Sequence, residues 1–340
     1  MVANYYENKK ILVTGGAGSI GRQLVKRLLE FNPYVIRILD NNETGLFDLE
    51  QELNSEKIRT LVGDIRDKDR LIMAMKGIDI VFHASALKHV PLCEYNPFDA
   101  IKTNVLGTQN VLEAAIANKV QKVINISTDK AVSPTNVMGA TKLLAERLTI
   151  SANYYTGSKK TIFSSVRFGN VLNSRGSVIP LFKKQIECGG PVTVTDKNMT
   201  RFYMDIPAAV ELIILAGELA RGREIFILKM PALNILELAK TMIQELAESY
   251  GHSSKNIEIK FIGKRSGEKI FEELMTENEI ERAYENENMF IIPPETLPFE
   301  SPLKYPIPKS FKKASSPKYT SNKARLINKK EIKDLIQSLI

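Results

Sequence analysis

Residues Val123–Arg147 read VINISTDKAVSPTNVMGATKLLAER. The segment opens on an apolar run, Val123 to Ile126, with the character of a buried strand. It breaks at Ser127-Thr128-Asp129-Lys130, passes Pro134 and resumes in a helical pattern. Asp129 and Lys130 therefore sit side by side at the expected end of a strand. Neighbouring side chains on a regular strand face opposite sides. The two converge on one ligand only if the strand has stopped by about Ser127. Lys142 follows on the helix, four residues after Met138. Taken alone, the segment reads equally well as a strand, a polar turn and an amphipathic helix with a solvated Lys142. The rest of the chain decides between the two readings.

Toward the N-terminus, Lys10–Val13 is a short apolar strand. Thr14-Gly15-Gly16-Ala17-Gly18-Ser19-Ile20-Gly21 then leads into the helical pattern RQLVKRLLE. Gly15, Gly18 and Gly21 have GxxGxxG spacing. A strand, a glycine-rich turn and a helix in this order make a dinucleotide site. Glycines let the backbone approach a pyrophosphate, and the helix N-terminus offers free N–H groups and positive potential. A plain strand-to-helix turn is the alternative. The second strand, Tyr34–Leu39, ends at Asp40. A carboxylate about 20 residues beyond such glycines meets the adenosine ribose hydroxyls. Asp40 thus favours NAD, with NADP as the alternative, and Arg37 inside the strand is badly placed for a 2′-phosphate. Capping of the next helix is the other reading of Asp40.

Ile58–Val62 is a third strand, followed by Gly63-Asp64-Ile65-Arg66-Asp67. Asp64 there either meets the adenine amino group or caps a helix. The fourth strand, Ile80–Ala84, leads into Ser85-Ala86-Leu87-Lys88: small residues for close backbone contact and one cation for a substrate. The helix Pro97–Lys119 carries Asn104, either a satisfied core amide or a bridge to the neighbouring loop. The opening segment supplies a fifth strand and Ser164–Asn170 a sixth. Alternating strands and helices imply an open, mostly parallel α/β sheet covered on both faces. In such sheets ligands sit beyond the carboxyl ends of the strands. The glycine turn, Asp40, Asp64, Ser85–Lys88 and Ser127–Lys130 all fall there.

Composition narrows the class. The 340 residues, 44% hydrophobic and 25% charged, are those of an ordinary globular protein. Cys93 and Cys188 make no disulfide framework and belong to no CxxC, which fits a reducing compartment. His83, His89 and His252 lie in no metal-ligand spacing, so no metal is expected. No signal peptide or membrane-length apolar run is legible, and a cytoplasmic protein without membrane insertion is expected. The formal charge of +8 gathers in the tail, at Lys304, Lys309, Lys312, Lys313, Lys318, Lys323, Arg325, Lys329 and Lys330. No nucleic-acid motif accompanies it. The preferred reading is a solvated, partly irregular tail, and a positive field also suits a small polyanionic substrate.

Beyond Asn170 the pattern changes. A polar loop, Asn173-Ser174-Arg175-Gly176-Ser177, precedes the helix VIPLFKKQIECG. Short strands are expected at Pro191–Thr195, Thr200–Met204, Glu224–Lys229 and Glu258–Ile262, with helices at Ala208–Leu219 and Ile235–Tyr250. Arg201 and Arg265 are loop cations that either hold a diphosphate or stand at the surface. Pro293–Lys318 is rich in Pro, Ser and Lys and is expected to lie extended over the surface.

Five motifs in order, TGGAGSIG, STDKAVSPTNVMGATK, VRFGNVLNSRGSVIPLF, PVTVTDKNMTRFYM and KRSGEKIFEELMTE, resemble the extended short-chain dehydrogenase/reductase superfamily. Within it they are similar to the polysaccharide-biosynthesis branch of UDP-N-acetylglucosamine 4,6-dehydratases. The likeness runs from about Lys10 to Ile280. It implies a Rossmann-type doubly wound parallel sheet with a smaller, interwoven α/β substrate-binding domain. Residues 1–170 would mainly bind NAD and 171–292 mainly the nucleotide sugar, with 293–340 an extended basic tail ending in a helix. The chain looks like the soluble form of a branch whose longer members carry a membrane region.

The resemblance implies UDP-sugar as substrate, tightly bound and recycled NAD or NADP, and a homo-oligomer. Cofactor contacts are expected from Gly15, Gly18, Ser19, Ile20, Gly21, Asp40, Asn41, Asp64, Ile65, Ala84, Ser85, Ala86, Asn104, Ser127 and Lys142. Substrate contacts are expected from Lys88, Asn170, Ser177, Val178, Arg201, Arg265 and Glu268. The superfamily's usual Tyr-x-x-x-Lys reads here Met138-Gly139-Ala140-Thr141-Lys142. A thioether exchanges no proton. A subset of the branch shares the Met, and Lys142 is still expected to hold the nicotinamide ribose. The proton of the sugar C4 hydroxyl then leaves by another route, to Thr128 or Asp129 through water. The implied chemistry is oxidation at C4, proton removal from C5 by Lys130, acid assistance to the C6 hydroxyl by Asp129, and hydride return to C6. It needs a neutral Lys130 and a protonated Asp129. Burial favours that state and their mutual attraction opposes it. A C4 epimerase and a non-catalytic, NAD-sensing regulator are the alternatives.

Overall fold

The computed structural model describes residues 2–157, 161–172, 177–265, 267–295, 305–315 and 319–339. Residues 173–176 of the polar loop, Ser266, and residues 296–304 and 316–318 of the tail lie outside the described residues.

Six strands carry the first half: β1 (Lys10–Thr14), β2 (Val35–Asp40), β3 (Ile58–Val62), β4 (Ile80–His83), β5 (Lys122–Thr128) and β6 (Ile162–Phe168). They lie parallel in the order β3-β2-β1-β4-β5-β6. The sequence dictates this arrangement through burial. Every residue of β4 and four of the five in β1 are buried, as helices on both faces require. Strand order reverses between β1 and β4, so the crevice of the doubly wound sheet opens there, above the glycine turn.

The sheet does not stop at β6. Ile225–Leu228 adds in parallel, then Met289–Ile292 and Tyr284–Glu285 in antiparallel, and Lys312–Lys313 closes the edge, giving ten strands. The second half of the chain thus contributes four strands to the first half's sheet. A separate apolar cluster, including Phe182, Ile186, Val194, Leu238 and Met242, holds the smaller layer of helices and short strands together.

The tail differs from its expected solvated state. The exposed lysines of Lys312–Lys313 sit on an edge strand, where charge discourages pairing with another chain. Thr320 and Ser321 are buried, and Ile332 and Ile336 of the helix Lys329–Leu339 join the smaller core. An alternation of lysines with a few apolar residues hid these anchors.

The expected helix Pro97–Lys119 is three pieces: Pro97–Ala100, a π-helical segment Ile101–Gly107, and Thr108–Ala117. Widened turns of this kind recur at functional sites. Here the segment carries Asn104 toward the loop after β4. The expected stop of β5 near Ser127 is displaced to Thr128, and a 3-10 turn, Asp129–Ala131, follows at once. That turn, not an earlier strand end, brings Asp129 and Lys130 onto one side.

Behind β6, Arg167 is buried between two carboxylates. It donates to Glu146 at 2.6 and 3.0 Å and to Glu279 at 3.1 Å, plus the Leu274 carbonyl at 2.8 Å. This triad ties the helix Val137–Ala152 to the segment that follows Leu274. Removing the cation strands two buried carboxylates. Arg167→Ala is expected to cost about 3–5 kcal/mol of stability, read by chemical denaturation.

Candidate active site

The glycine turn makes the first wall. Gly15 has φ +71°, and a Cβ there would lie 2.6 Å from the Ser85 nitrogen. A Cβ on Gly21 would lie 2.2 Å from the Gly15 carbonyl oxygen. Both positions are therefore closed to any side chain. The helix Ser19–Leu29 starts after Gly18 with no side-chain cap, leaving its first N–H groups toward the crevice. A buried strut supports the turn: Thr14 Oγ1 lies 2.7 Å from His83 Nδ1, and His83 Nε2 lies 3.1 Å from Thr108 Oγ1. Burial, aided by the charge of Lys142, brings the His83 imidazole down to about 3, so it is neutral at physiological pH.

A cavity of ≈ 460 Å³ runs from this turn across the sheet. Of the expected residues, Gly15, Gly18, Ser19, Ile20, Gly21, Ala84, Ala86, Ser127, Thr128, Lys130, Met138, Lys142, Asn170, Ser177 and Lys88 line it. A second cavity of ≈ 420 Å³ is lined by Lys88, Lys130, Asn170, Arg201, Arg265 and Glu268, with Lys269 and Glu272 among others. The two share Lys88, His89, Lys130 and Asn170, so Lys130 stands at their junction.

Other expected residues lie outside both cavities. Asp40 accepts from the Ala17 and Asn42 backbone N–H groups, each at 3.0 Å, and so fixes the glycine turn. The helix after it is capped by Asn42, not Asp40. Asn41 donates weakly to Asp64, at 3.4 Å. Asp64 is held by Arg66 at 2.7 Å, and that hydrogen bond keeps its carboxyl below the usual range. The cap of the following helix is Asp67. Ile65 is a core residue, Ser85 faces Gly15 with its backbone, and Val178 opens the helix Val178–Glu187.

Asn104 ties the loop after β4 in place. It is buried, its Oδ1 accepts from Leu87 N at 2.8 Å, and its Nδ2 donates to Leu87 O at 2.9 Å and Thr141 Oγ1 at 3.0 Å. Those bonds occupy the amide in holding the loop after β4 against the helix Val137–Ala152. The bridging alternative is the one the geometry follows.

The chemistry-bearing residues meet at the end of β5. Asp129 is 0% exposed. Its Oδ1 accepts from Thr128 Oγ1 at 2.8 Å and from Lys130 Nζ at 3.0 Å, while Oδ2 is buried without a partner. Lys130 Nζ also reaches Asn170 Oδ1 at 3.4 Å and Glu272 at 3.8 Å. Burial alone would lower the Lys130 ammonium, but Asp129 and then Glu272 outweigh it, against the opposing Arg201, so the group is raised above the ordinary lysine value. The mutual attraction wins, and in this state Lys130 is protonated. Met138 is buried in an apolar cluster with Cys93 and Ala100 and presents no exchangeable proton to the cavity. Lys142 donates to the Ile126 carbonyl at 2.6 Å, and burial brings its ammonium down to about 8 against the pull of Glu146.

Arg201 behaves differently from a loop cation awaiting a ligand. Its Nη1 donates to the Thr200 and Ile270 carbonyls and its Nη2 to that of Lys269, bracing the loop that carries Glu268 and Glu272. Arg265 is exposed at the cavity rim. Glu272 was not foreseen. Its signal was faint: Glu272 and Leu274 are buried while Phe271 and Glu273 are not, a period-two pattern that puts a carboxylate in an apolar row.

These features fit a dinucleotide: a turn that excludes Cβ atoms, an uncapped helix N-terminus, and a Ser127 hydroxyl buried without a partner. The adjoining cavity, with Lys88, Arg265 and Lys269 on its walls, suits an anionic ligand.

The family model described as polysaccharide biosynthesis protein matches residues 11–294. The chain is 58% identical over 338 residues to an uncharacterized membrane protein of Methanocaldococcus jannaschii, covering 99% of this chain and 98% of that one. Among the described residues, no helix is long and apolar enough to cross a membrane. It is 43% identical to a Campylobacter jejuni protein named UDP-N-acetylglucosamine 4,6-dehydratase (inverting), covering 85% and 84%. It is 42% identical to a Rickettsia prowazekii protein named UDP-glucose 4-epimerase, covering 98% and 97%. Among solved structures, Pen from Bacillus thuringiensis superposes with a TM-score of 0.90 at 46% identity over 98% of each chain. A dTDP-glucose 4,6-dehydratase from Streptomyces venezuelae, solved with NAD, shares the fold, with a TM-score of 0.67 at 24% identity over 77% and 86%.

Proposed function

The chain belongs to the polysaccharide biosynthesis protein family of short-chain dehydrogenase/reductases, and from that premise we propose that it is a UDP-N-acetylglucosamine 4,6-dehydratase, a hydro-lyase whose product is a UDP-4-keto-6-deoxy sugar. The observation that carries the reading is the buried Asp129 carboxylate, which lines neither cavity itself but bonds both Thr128, on the wall of the first, and Lys130, at the junction of the two. An epimerase has no need of an acid at C6.

NAD would lie along the glycine turn, with Asp40 at the adenosine end and Lys142 at the nicotinamide end. When bound, it supplies the acceptor for hydride from C4 and the donor of hydride to C6. The fixed Asp40 carboxylate disfavours a 2′-phosphate and supports NAD over NADP. The chain's own residues handle the protons. The C4 hydroxyl proton passes to Thr128, whose hydroxyl hands its own to Asp129 Oδ1. Lys130, once neutral, takes the C5 proton. Asp129 returns its proton to the C6 hydroxyl, which departs as water, and Lys130 restores the proton at C5. The hydrogen lost from the C4 hydroxyl and the hydroxyl lost from C6 make the one water released. The C4 proton itself loads the acid, so the site needs neither a Tyr at 138 nor a protonated Asp129 at rest.

Mixing the protein with UDP-N-acetylglucosamine is expected to give a product lighter by one water, with the C5 coupling in its NMR spectrum reporting retention or inversion. The likeness to the Rickettsia prowazekii protein supports a second reading, C4 epimerisation. An unchanged mass with inverted C4 would select it and reject the first. An unchanged substrate beside bound NAD would select a regulator.

The turn gives an independent prediction. Gly21→Ala pushes a Cβ into the Gly15 carbonyl, a backbone atom that cannot step aside. Calorimetry is expected to show NAD affinity reduced by roughly tenfold or more, about 1.4 kcal/mol. Gly18→Ala, whose Cβ would sit 3.2 Å from the same oxygen, is expected to lose less.

A further inference from the structure

Resting on the dehydratase reading, one difficulty stands out. Lys130 has to be neutral when it removes the C5 proton, yet the site holds it as an ammonium. Protonation of Asp129 weakens that hold but gives the Lys130 proton nowhere to go. Asp129 is then already filled, and Asn170 and Arg201 accept no proton.

A second carboxyl is in place. Glu272 Oε1 lies 3.8 Å from Lys130 Nζ and 3.8 Å from Arg201 Nε. The side chain is buried, and its Oε2 has no partner. Its backbone is fixed from the far end of the chain: Glu272 N donates to Ser321 Oγ at 3.0 Å, and Ser321 N donates to Glu272 O at 2.9 Å. Ser321 is in turn bonded to Thr200, next to Arg201. The loop, the strand Thr200–Met204 and the tail thus converge to hold one carboxylate beside Lys130.

We propose that Glu272 is a positioning residue for Lys130, taking the ammonium proton when the amine must act as a base and handing it back after C5 has been reprotonated. In the forward step the Lys130 N–H bond breaks and a Glu272 O–H bond forms, leaving a neutral amine beside a neutral acid. Lys130 then binds the C5 proton and later returns it to C5. The Glu272 proton goes back to Lys130, and the cycle closes without any outside donor.

The groups facing Glu272 are Asp129 and Lys130 from the turn after β5, Arg201 from the strand Thr200–Met204, and Lys269 on its own loop, with Glu268 on the other side of Arg201. Burial raises its carboxyl most, Asp129 adds to this, and Lys130, Arg201 and Lys269 oppose; the net direction is upward. A carboxyl so placed accepts a proton more readily than an exposed one.

The test compares Glu272→Gln with Glu272→Asp. Gln keeps shape and hydrogen-bonding capacity but holds no exchangeable acid. Asp keeps the acid and loses length. A packing role ranks Gln above Asp; proton holding ranks Asp above Gln. Glu272→Gln is expected to lower kcat by about 100-fold with little change in KM, and to slow deuterium uptake at C5 in heavy water to match. Glu272→Asp is expected to recover about tenfold of that loss. Independently of turnover, the Lys130 ammonium, followed by NMR of nitrogen-labelled lysine, is expected to titrate about one pH unit lower in Glu272→Gln than in the wild type. Gln performing as well as Asp, or an unmoved Lys130 titration, overturns the proposal. The expected titration shift in Glu272→Gln, beside a wild type that never releases water, would instead overturn the dehydratase reading and leave the Glu272–Lys130 link standing.

Discussion

Asp129→Asn is expected to reduce water loss by about 10³-fold while NAD stays bound and the melting temperature changes little. The amide matches the carboxylate in shape, so the 0% exposed pocket around it stays filled. What disappears is the group that takes the C4 hydroxyl proton by way of Thr128 and gives a proton to the C6 hydroxyl. Thr128 still sits beside the residue, but its proton has no base to enter, so oxidation at C4 stalls first. The C6 hydroxyl also loses its acid. General acid–base groups are worth about 10²–10⁴-fold each, and this one serves twice. Rapid-quench analysis of the sugar is the check, with no keto sugar expected at any time. Turnover within a few-fold of wild type would remove Asp129 from its role.

Lys130→Ala is expected to fail just as severely but one step later, with kcat reduced by about 10³-fold or more. The Thr128–Asp129 contact is 2.8 Å and does not involve the amine, so C4 oxidation proceeds. C5 then keeps its hydrogen. The bound sugar is expected to accumulate as the 4-keto compound with its C6 hydroxyl intact, and C5 is expected to take up no deuterium from heavy water. Trapping the keto group with borodeuteride and reading the mass separates this variant from Asp129→Asn. Rapid C5 exchange in Lys130→Ala would place the base elsewhere.

The parts of the fold that were legible are those set by local pattern. The parallel strands announced themselves as short apolar runs between helices, and the glycine turn needs three small residues at fixed spacing whatever surrounds them. The Asp129–Lys130 pair was legible because it falls at a strand's carboxyl end together with the glycine turn, Asp40, Asp64 and Ser85–Lys88. What escaped depends on partners far along the chain. Glu272 looked like one acid among several in KIFEELMTE because Ser321, which fixes its backbone, lies 49 residues away. Arg167 read as a strand residue because Glu279 is 112 residues distant. Arg201 read as a free loop cation because the carbonyls of Lys269 and Ile270 that occupy it belong to another loop. At Asp40 the capping alternative falls away for a local reason: Asn42, two residues on, takes the helix cap because its side chain reaches the Gly45 N–H. The protonation state of Lys130 was a further question composition could not answer, since burial and attraction pull oppositely and only distances rank them.

The central claim is an internal transfer: the hydrogen that leaves C4 comes back at C6 of the same sugar as one water departs. UDP-N-acetylglucosamine carrying deuterium at C4 tests it directly when the product is read by mass spectrometry and NMR. The account predicts a product lighter by one water with the deuterium in its C6 methyl group. A product of unchanged mass with deuterium still at C4, or a dehydrated product whose methyl group has drawn its new hydrogen from solvent, would contradict it.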